Sequence, residues 1–402
     1  MDERRVHPEP EPSTAAGRPP DRDLPALLIA LAAAPEIPYA AACRLAAAAA
    51  GDWTPWMVEP ARRDGDARDL LAAELGVAPG CLAAACRVAV ERADRAAAER
   101  EGARREGARV ITRACPEYPA KLLDLELPPP ALWLRGAIPS GPAIAVVGPR
   151  NADRWALEAA RAFAHDLAAH GLVVVSGFAR GVDAAAHRAA LEAPGGRTVA
   201  VLGCGLGVPY PRQHLDLADP IADAGGVVSE FPCGTPPAAW RFPVRNRVIA
   251  ALALGALVVQ ASRRSGSLIT ARLALELGRE VYAVPGRPGD RRSEGSNLLL
   301  RDGAHVALDA GSVLDTLPLA ARAALEAAAS PAPPDGDAAA PKGALAKQVL
   351  AALDASGTGV EELARRLEVG VDALLATLLE LELDGLVRRL SRREFARVRG
   401  RR

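Results

Sequence analysis

Lysine, aromatic residues and paired cysteines are scarce in this chain of 402 residues. The only lysines are Lys121, Lys342 and Lys347, so arginine carries almost all of the positive charge, and the formal net charge is zero. A neutral chain has no overall attraction to nucleic acid, so binding of a polyanion must come from local patches. The six cysteines form no CxxC motif and no histidine pair has metal-ligand spacing, which argues against a metal site and a disulfide framework.

The chain also lacks a long uncharged apolar run, which excludes a membrane-spanning helix. Residues 1–23 are polar and rich in proline, without the apolar core of a secretory signal. We therefore expect a cytoplasmic protein that makes no membrane contact and begins with a disordered lead at 1–23. Hydrophobic residues are abundant, at 50%, and the length allows about two to four domains.

Residues 24–108 are helical in texture, with proline and glycine at short intervals. This pattern predicts a small all-α domain of several short helices. Its segments 27–45 and 75–82 could be helix-hairpin-helix pieces that touch a nucleic-acid backbone, although scaffolding or partner docking explains them equally well. Residues 109–140 then form a connector, beginning with a short strand, in which Tyr118 and Trp133 are interpreted as packing residues.

Between residues 141 and 310, short apolar runs recur at intervals of about thirty residues, which is the length of a βαβ unit. They predict strands at 144–147, 172–175, 198–202, 226–229, 256–259 and 281–284. Because helical stretches follow most of these runs, we expect an α/β fold with an open, mostly parallel sheet. Such sheets bind ligands outside the carboxyl ends of their strands, so the loops at those ends are the candidate site.

Two loops near the start of this region carry a phosphate-binding pattern. The first offers Arg150 directly after a predicted strand. The second leads into a predicted helix and contains Ser176, Gly177, Arg180 and Gly181. Glycine lets the backbone approach a ligand, while free N–H groups and the helix dipole at a helix start favour an anion.

Two later loops add arginine, aromatic and hydroxyl groups. One contains Trp240, Arg241, Phe242, Arg245, Asn246 and Arg247. Arginine contacts phosphates bidentately and aromatic rings stack on bases, which is the combination that single-stranded nucleic acid requires. The other is a hydroxyl-rich turn into a helix start and contains Ser265, Gly266, Ser267 and Thr270. Helix capping alone would explain the serines, and any one arginine could be a solvated surface residue, but the convergence of four loops favours a nucleic-acid site.

The loop at 203–211 resembles a dinucleotide-binding loop only superficially. Val208 stands where a third glycine is needed, and Pro209 obstructs the helix that should begin there. A tight turn that packs Tyr210 beside the site explains this loop better.

No catalytic arrangement emerges from the sequence. His187, Asp183 and Glu230 are the candidates if an activity exists, but no Ser-His-Asp order and no pair of carboxylates with a clear role is present. We interpret Asp183 as a helix cap or as a residue that orients an arginine, and Glu230 as the partner of a neighbouring N–H.

The C-terminal region differs in composition from the rest. A helical tail and a linker rich in proline, alanine and glycine occupy 311–343. Residues 344–402 then predict three helices and a short hairpin, the pattern of a winged helix. From Leu386 to Arg402 there are eight arginines against one acidic residue, which favours contact with a DNA backbone or an acidic partner, although a solvated tail accounts for the last few residues.

Seven stretches together resemble the DNA-processing protein A (DprA, or Smf) family. In order they are VVGPRN, SGFARGVDAAAHRAAL, TVAVLGCGLGVPYP, GGVVSEFPCGTPP, FPVRNRVIAAL, SGSLITARLALELGREVYAVPG and GSNLLLRDGA, and they cover most of 141–308. The resemblance implies an extended Rossmann-like domain at 141–310, an N-terminal helical SAM-like domain and a C-terminal winged helix. It further implies a homodimer that binds single-stranded DNA, protects incoming strands and loads the RecA recombinase onto them during natural transformation. We expect no enzymatic activity and no cofactor.

The resemblance also assigns the candidate residues. Arg150 matches the arginine of the family's VGSR or VGTR loop, and residues 176–181 match its SGxAxG loop. Residues 245–247 match its RNR motif, and 265–270 match its SGSLIT motif.

Four departures from the family pattern bear on affinity more than on the class of ligand. Pro149 replaces a serine or threonine, Gly207 an aspartate, Gln260 a glutamate and Ala239 a lysine. Arg241, two residues beyond Ala239, could compensate for the missing lysine.

Two other hypotheses are compatible with such a sheet. An enzyme of the lysine-decarboxylase-like group, with nucleotide phosphoribohydrolase activity, would share the Rossmann-like sheet, but its PGGxGTxxE motif is absent where this chain has SGSLITARLALE. A transcription regulator would bind a duplex sequence with the winged helix and sense a nucleotide with the α/β domain.

Overall fold

The computed structural model describes residues 24–49, 65–208, 210–329, 344–353, 358–367, 369–383, 386–391 and 394–397. The chain divides into two compact units, Met1–Ala327 and Ala328–Arg402. The lead expected at 1–23 lies outside the described residues, as do positions 330–343 of the expected linker and the last five residues of the basic tail.

The first unit begins with helices whose apolar faces share one core. They are α1 (Leu24–Ala33), α2 (Tyr39–Ala49), α3 (Gly65–Glu74), α4 (Pro79–Val90) and α5 (Arg92–Arg105). Leu28, Leu45 and Val88 are buried between them. Ile29 of α1 packs in another cluster with Trp133 of the sheet, so these helices are attached to the sheet through apolar contacts. The short helices predicted for this region are therefore present in its described residues.

A nine-stranded sheet forms the centre of the first unit, in the order β1-β2-β6-β5-β4-β3-β7-β8-β9. The strands are β1 (Arg109–Thr112), β2 (Ala131–Gly136), β3 (Ala143–Val147), β4 (Val173–Gly177), β5 (Arg197–Leu202), β6 (Gly226–Ser229), β7 (Gly255–Val258), β8 (Glu280–Ala283) and β9 (His305–Val306). The β1–β2 and β2–β6 pairs are antiparallel and the others are parallel. The predicted mostly parallel α/β sheet is therefore confirmed, and the expected connector supplies its antiparallel edge.

Helices cover both faces of this sheet. They are α6 (Arg154–Ala169), α7 (Val182–Glu192), α8 (Leu215–Ala224), α9 (Arg241–Leu252), α10 (Ser267–Glu276), α11 (Glu294–Arg301), α12 (Ala310–Leu314) and α13 (Leu319–Ala329), with 3₁₀ turns at Ala120–Asp124 and Arg212–His214. Successive residues of β3 point to opposite faces: Ile144 and Val146 pack in the cluster that contains α6 residues, whereas Ala145 and Val147 pack in the one that contains α9 residues. Burial on both faces explains why the strands appear in the sequence as unbroken apolar runs.

The sheet changes direction at β3. From β3 the chain proceeds through β4, β5 and β6 on one side, and then returns to β7 on the other side of β3. The loops after β3 and β7 consequently diverge and leave a crevice, which is where doubly wound sheets bind their ligands.

The end of β4 differs from the prediction. Ser176 and Gly177 are not loop residues but the last two residues of β4, because pairing with β5 continues through Ser176↔Ala200 and Gly177↔Val201. The other predicted strands are displaced or extended by no more than one residue at each end.

The second unit has three helices around a small core that includes Leu363, Leu378 and Phe395. The helices are α14 (Ala344–Ala352), α15 (Val360–Leu367) and α16 (Val371–Leu383), and the strands are β10 (Thr358–Gly359), β11 (Val387–Ser391) and β12 (Glu394–Arg397). The strands β11 and β12 pair as the predicted antiparallel hairpin. Helices of the described residues are all too short or too polar to cross a membrane.

Candidate nucleic-acid groove

A groove of about 410 Å³ opens at the β3/β7 crevice. All four predicted loops contribute to its lining, which includes Pro149, Arg150, Ala179, Asp183, Phe242, Arg245, Asn246, Ser265, Gly266, Ser267 and Thr270. The carboxyl ends of neighbouring parallel strands meet at one edge of a sheet, so segments far apart in the chain converge here.

Arginine and aromatic side chains alternate along one wall of the groove. The guanidinium carbon of Arg150 lies 4.5 Å from the centroid of the Phe242 ring. The Phe242 ring in turn lies 5.8 Å from the Tyr210 ring, so Tyr210 does pack beside the site as predicted. An adjoining smaller cavity is lined by Arg150, Arg180, Tyr210 and Phe242. This wall offers both positive charge and stacking surface.

The side chain of Arg245 is buried at the floor of the groove. Its Nη1 donates a hydrogen bond to the carbonyl of Val201 at the end of β5. Its positive charge faces Asp183, whose carboxylate also accepts from the backbone N–H of Ala179 at 3.3 Å. Burial raises the pKa of Asp183 to about 6, against the opposing effect of Arg245. Burial likewise lowers the pKa of Arg245, against the effect of Asp183. The two charges therefore attract each other at the floor of the groove, and the interpretation that Asp183 orients an arginine stays a prediction.

Two glycines let these groups approach. A Cβ atom on Gly177 would lie only 2.7 Å from Nη2 of Arg245 and would also collide with the Asp183 carboxylate. Gly181 has a φ of +79°, and a Cβ atom there would lie 2.7 Å from the carbonyl oxygen of Arg150. Both positions therefore require glycine, and Gly181 packs the second loop against the first.

Some polar groups of the hydroxyl-rich turn are hydrogen-bonded to one another. The Ser265 and Ser267 hydroxyls lie 2.7 Å apart, and Ser265 Oγ accepts from the Ser267 N–H at 3.4 Å. Asn246 Nδ2 donates to the Gly266 carbonyl at 3.5 Å, which links the start of α9 to this turn. The N-cap residue of α10 is Gly266, so Ser265 lies one residue before the cap, and the turn lines the groove together with Asn246.

Ser176, a predicted phosphate ligand, lies away from the groove. Its hydroxyl is fully buried and donates to the Val146 carbonyl at 2.6 Å, which joins β4 to β3. His187 is likewise a structural residue: its ring nitrogens lie 2.7 Å from the Gly177 carbonyl and 2.7 Å from the Thr198 hydroxyl. Burial lowers the pKa of His187 to about 4, so the ring is neutral at pH 7. In that state Nε2–H donates to the Gly177 carbonyl, while the Thr198 hydroxyl beside Nδ1 also lies 2.7 Å from the Val174 carbonyl, to which it donates.

Arg247 is also absent from the groove, although it belongs to the same motif as Arg245. Its Nη2 lies 2.5 Å from the Glu230 carboxylate and donates to the Tyr39 hydroxyl, and its Nη1 donates to the Leu127 carbonyl at 2.5 Å. Positions 245 and 247 differ by about 200° around a helix, so one side chain faces the groove and the other faces away from it.

The buried pair of Arg247 and Glu230 has a structural role. The side chain of Arg247 is 14% exposed and that of Glu230 is 0% exposed. Burial raises the pKa of Glu230, an effect that Arg247 opposes. Burial would lower the pKa of Arg247, but the Glu230 charge outweighs it and raises that pKa. Glu230 thus accepts from an N–H, as interpreted. The Tyr39 contact, which attaches α2 to α9, had no signal in the sequence.

Arg241 does not line the groove. Its Nη1 donates to the Pro236 carbonyl, and its guanidinium carbon lies 5.0 Å from the Trp240 ring and 5.3 Å from the Phe231 ring. Of the four departures from the family pattern, Pro149 and Ala239 line the groove. Gln260 is instead buried and donates to Asp153 and Ser293 at 3.3 and 3.4 Å.

Within the described ranges, no group of three or more His, Cys, Asp or Glu side chains could hold a metal ion. The cysteines, all of which are described, form no disulfide with one another. The wall of the groove presents arginine side chains, which bind anions, and aromatic rings, which stack on bases.

Two family models match the chain. The model described as DNA recombination-mediator protein A matches residues 109–318, which is more than half of the chain. The chain belongs to this family, DprA/Smf. A second model, the DprA winged helix domain, matches residues 319–391 and confirms the winged helix predicted from the C-terminal pattern. The family resemblance of the sequence motifs is confirmed.

Individual relatives agree with this assignment. Protein Smf of Escherichia coli is 40% identical over 275 residues, which are 67% of this chain and 72% of the relative. DNA processing protein DprA of Bacillus subtilis is 39% identical over 205 residues, which are 50% of this chain and 69% of the relative. The X-ray structure of DNA processing protein A from Streptococcus pneumoniae is 33% identical, covers 63% of this chain and 86% of that chain, and superposes with a TM-score of 0.55.

Proposed function

We propose that this protein binds single-stranded DNA in the groove at the β3/β7 crevice. The observation that carries the proposal is the exposed charge of the wall: Arg150 and Arg180 are both exposed, and both line a cavity with Tyr210 and Phe242. Arginine neutralises backbone phosphates and releases counterions. The aromatic rings stack on unpaired bases. A duplex does not offer such bases, because its bases are paired and stacked on one another.

Family membership supports a finer proposal. The family is described as a DNA recombination mediator, and we propose that this protein, as a cytoplasmic homodimer, loads the RecA recombinase onto the incoming single strand during natural transformation. We also propose that it does so without catalysing a reaction. In support, the three catalytic candidates have structural partners: His187 bridges two strands, Asp183 accepts from the backbone N–H of Ala179, and Glu230 pairs with Arg247.

Fluorescence anisotropy of a labelled oligo-dT, measured beside its duplex and free nucleotides over a range of salt concentrations, tests the binding. Removing one charge-assisted hydrogen bond to a phosphate in Arg150→Ala should weaken oligo-dT binding about tenfold and reduce the salt slope by about 0.7. Arg154→Ala is the matched control, because Arg154 is exposed and pairs with Glu158 at 2.7 Å.

Equal affinity for single strand and duplex would overturn the proposal, as would unchanged binding by Arg150→Ala. Selective binding of a mononucleotide would favour the enzyme hypothesis instead. If oligo-dT binds as expected, RecA filament assembly on the bound strand, with and without this protein, tests the finer proposal.

A further inference from the structure

A second basic cavity lies on the other side of Arg150. It has a volume of about 400 Å³ and is formed between α6 and α7, and we refer to it as the helix cleft. Its polar lining consists of Arg150, Arg161, Arg188 and His214. Arg150 lines both the groove and the helix cleft, so the two cavities adjoin at this side chain.

The positive charge of the helix cleft is only weakly compensated. Arg161 lies 3.8 Å from Glu192, and Arg188 lies 3.4 Å from Asp216. Both distances are long for a charge-assisted hydrogen bond. The two carboxylate side chains are 62% and 66% exposed, and solvent screens such pairs strongly. Neither carboxylate lines the helix cleft. An anion that enters can therefore exchange for these partners at little cost.

His214 provides an independent sign of a ligand. Only 8% of the residue is exposed, and both ring nitrogens are buried without a hydrogen-bond partner among the described residues. The ring lies edge-on to Phe178, with centroids 6.3 Å apart. Burial and the nearby charge of Arg188 lower its pKa, an effect that the Gln213 backbone and the charge of Asp216 oppose. Buried polar groups without partners are rare because they lose their hydrogen bonds to water, and an imidazole N–H can donate to a phosphate oxygen.

We propose that the helix cleft is a second phosphate-binding site, which holds a backbone phosphate of the same DNA strand that occupies the groove. The proposal rests on the proposed function, since the strand must first enter the groove. Arg150 contacts the strand between the two sites, Arg161 and Arg188 neutralise the second phosphate, and His214 donates to it. The strand consequently turns around the loop after β3 and passes over the start of α7.

Oligo-dT of two lengths tests the proposal, one of about four nucleotides and one of about twelve, which span the usual range of single-strand sites. The Arg161→Ala/Arg188→Ala variant should bind the short strand within about twofold of wild type but bind the long strand about tenfold more weakly. Its salt slope on the long strand should fall by about 0.7 for each phosphate that the protein no longer neutralises. Arg154→Ala/Arg301→Ala is the matched control, because it removes two exposed arginines that pair with neighbouring acids and do not line the helix cleft.

A scan with single neutral methylphosphonate linkages locates the second phosphate. In wild type, neutral linkages should weaken binding at two separate sets of positions, and in the double variant at only one. Identical scans would overturn the proposal. Binding of inorganic phosphate to wild type, with no advantage for the long strand, would show a site for free phosphate and would overturn it too. Failure of the short strand to bind wild type would instead refute the proposed function itself.

The His214→Phe variant separates a ligand-binding role from a structural one. Phenylalanine keeps the ring and removes two unpartnered nitrogens, so thermal stability should stay the same or rise. Affinity for the long strand should nevertheless fall, while affinity for the short strand stays unchanged. A variant that lost stability and bound both strands like wild type would contradict the assignment of His214 to the site.

Discussion

In an Arg247→Met variant, the fully buried carboxylate of Glu230 loses its ion-pair partner, while the substituted side chain keeps most of its length. Removing one partner of a buried pair destabilises a protein by about 3–5 kcal/mol, because the other charge stays buried and uncompensated. Tyr39 also loses the hydrogen bond that it accepts from Arg247. With a urea dependence of about 3 kcal/mol per molar, the unfolding midpoint of the first unit should fall by about 1 to 2 M.

Urea unfolding followed by circular dichroism and tryptophan fluorescence measures this effect. The chain has two compact units, so the transition of the first unit must be analysed separately. Adding Glu230→Gln to Arg247→Met should recover much of the loss, because a neutral amide is less costly to bury than an unpaired carboxylate. The double-mutant cycle then gives the coupling between the two side chains.

The DNA-binding result distinguishes this role from that of a phosphate ligand. Under conditions where it is folded, Arg247→Met should bind oligo-dT within about twofold of wild type and keep the same salt slope, since no phosphate contact is removed. Arg150→Ala should show the reverse, with an unchanged midpoint and a smaller slope. A wild-type midpoint and a reduced salt slope for Arg247→Met would refute the assignment of Arg247 to the buried pair.

Three further predictions concern the groove. Gly177→Ala places a methyl group 2.7 Å from Arg245 Nη2, so anisotropy should show about tenfold weaker oligo-dT binding, whereas Gly102→Ala, whose Cβ meets nothing within 4 Å and which does not line the groove, should bind normally. Phe242→Leu should lose about 1–3 kcal/mol of binding with an unchanged salt slope, because stacking is lost and no charge is removed. The raised pKa of Asp183, about 6 instead of 3.8, means that the folded state keeps its proton longer than the unfolded state, so this residue lowers stability as pH rises from about 4 to 6. Relative to wild type, Asp183→Asn should therefore gain about 3 kcal/mol of unfolding free energy between those pH values, measured by urea unfolding, and a constant difference would contradict the shift.

The winged helix and the parallel sheet could be predicted because their signals are local. Each strand of the sheet interior is buried on both faces, which makes it an unbroken apolar run, and its last residue is marked by a turn. The site loops followed from the same rule, since the carboxyl ends of parallel strands share an edge. Arg150, Phe242 and Arg245 were therefore placed together although they come from loops 95 positions apart in the chain, about three βα repeats.

The sequence by itself thus determined the class of fold, the family, the edge of the sheet that carries the candidate groove and the residue types of its loops. Only the tertiary structure decided where individual side chains point. Arg247 turns toward Tyr39, a residue 208 positions away in the chain, because two steps along α9 reverse its direction. The Ser176 hydroxyl is hydrogen-bonded between β4 and β3. His214 lines the same cavity as Arg161 and Arg188 only because α6 and α7 pack together. Contacts of this kind depend on neighbours that are distant in the chain, and no local pattern of residues encodes them.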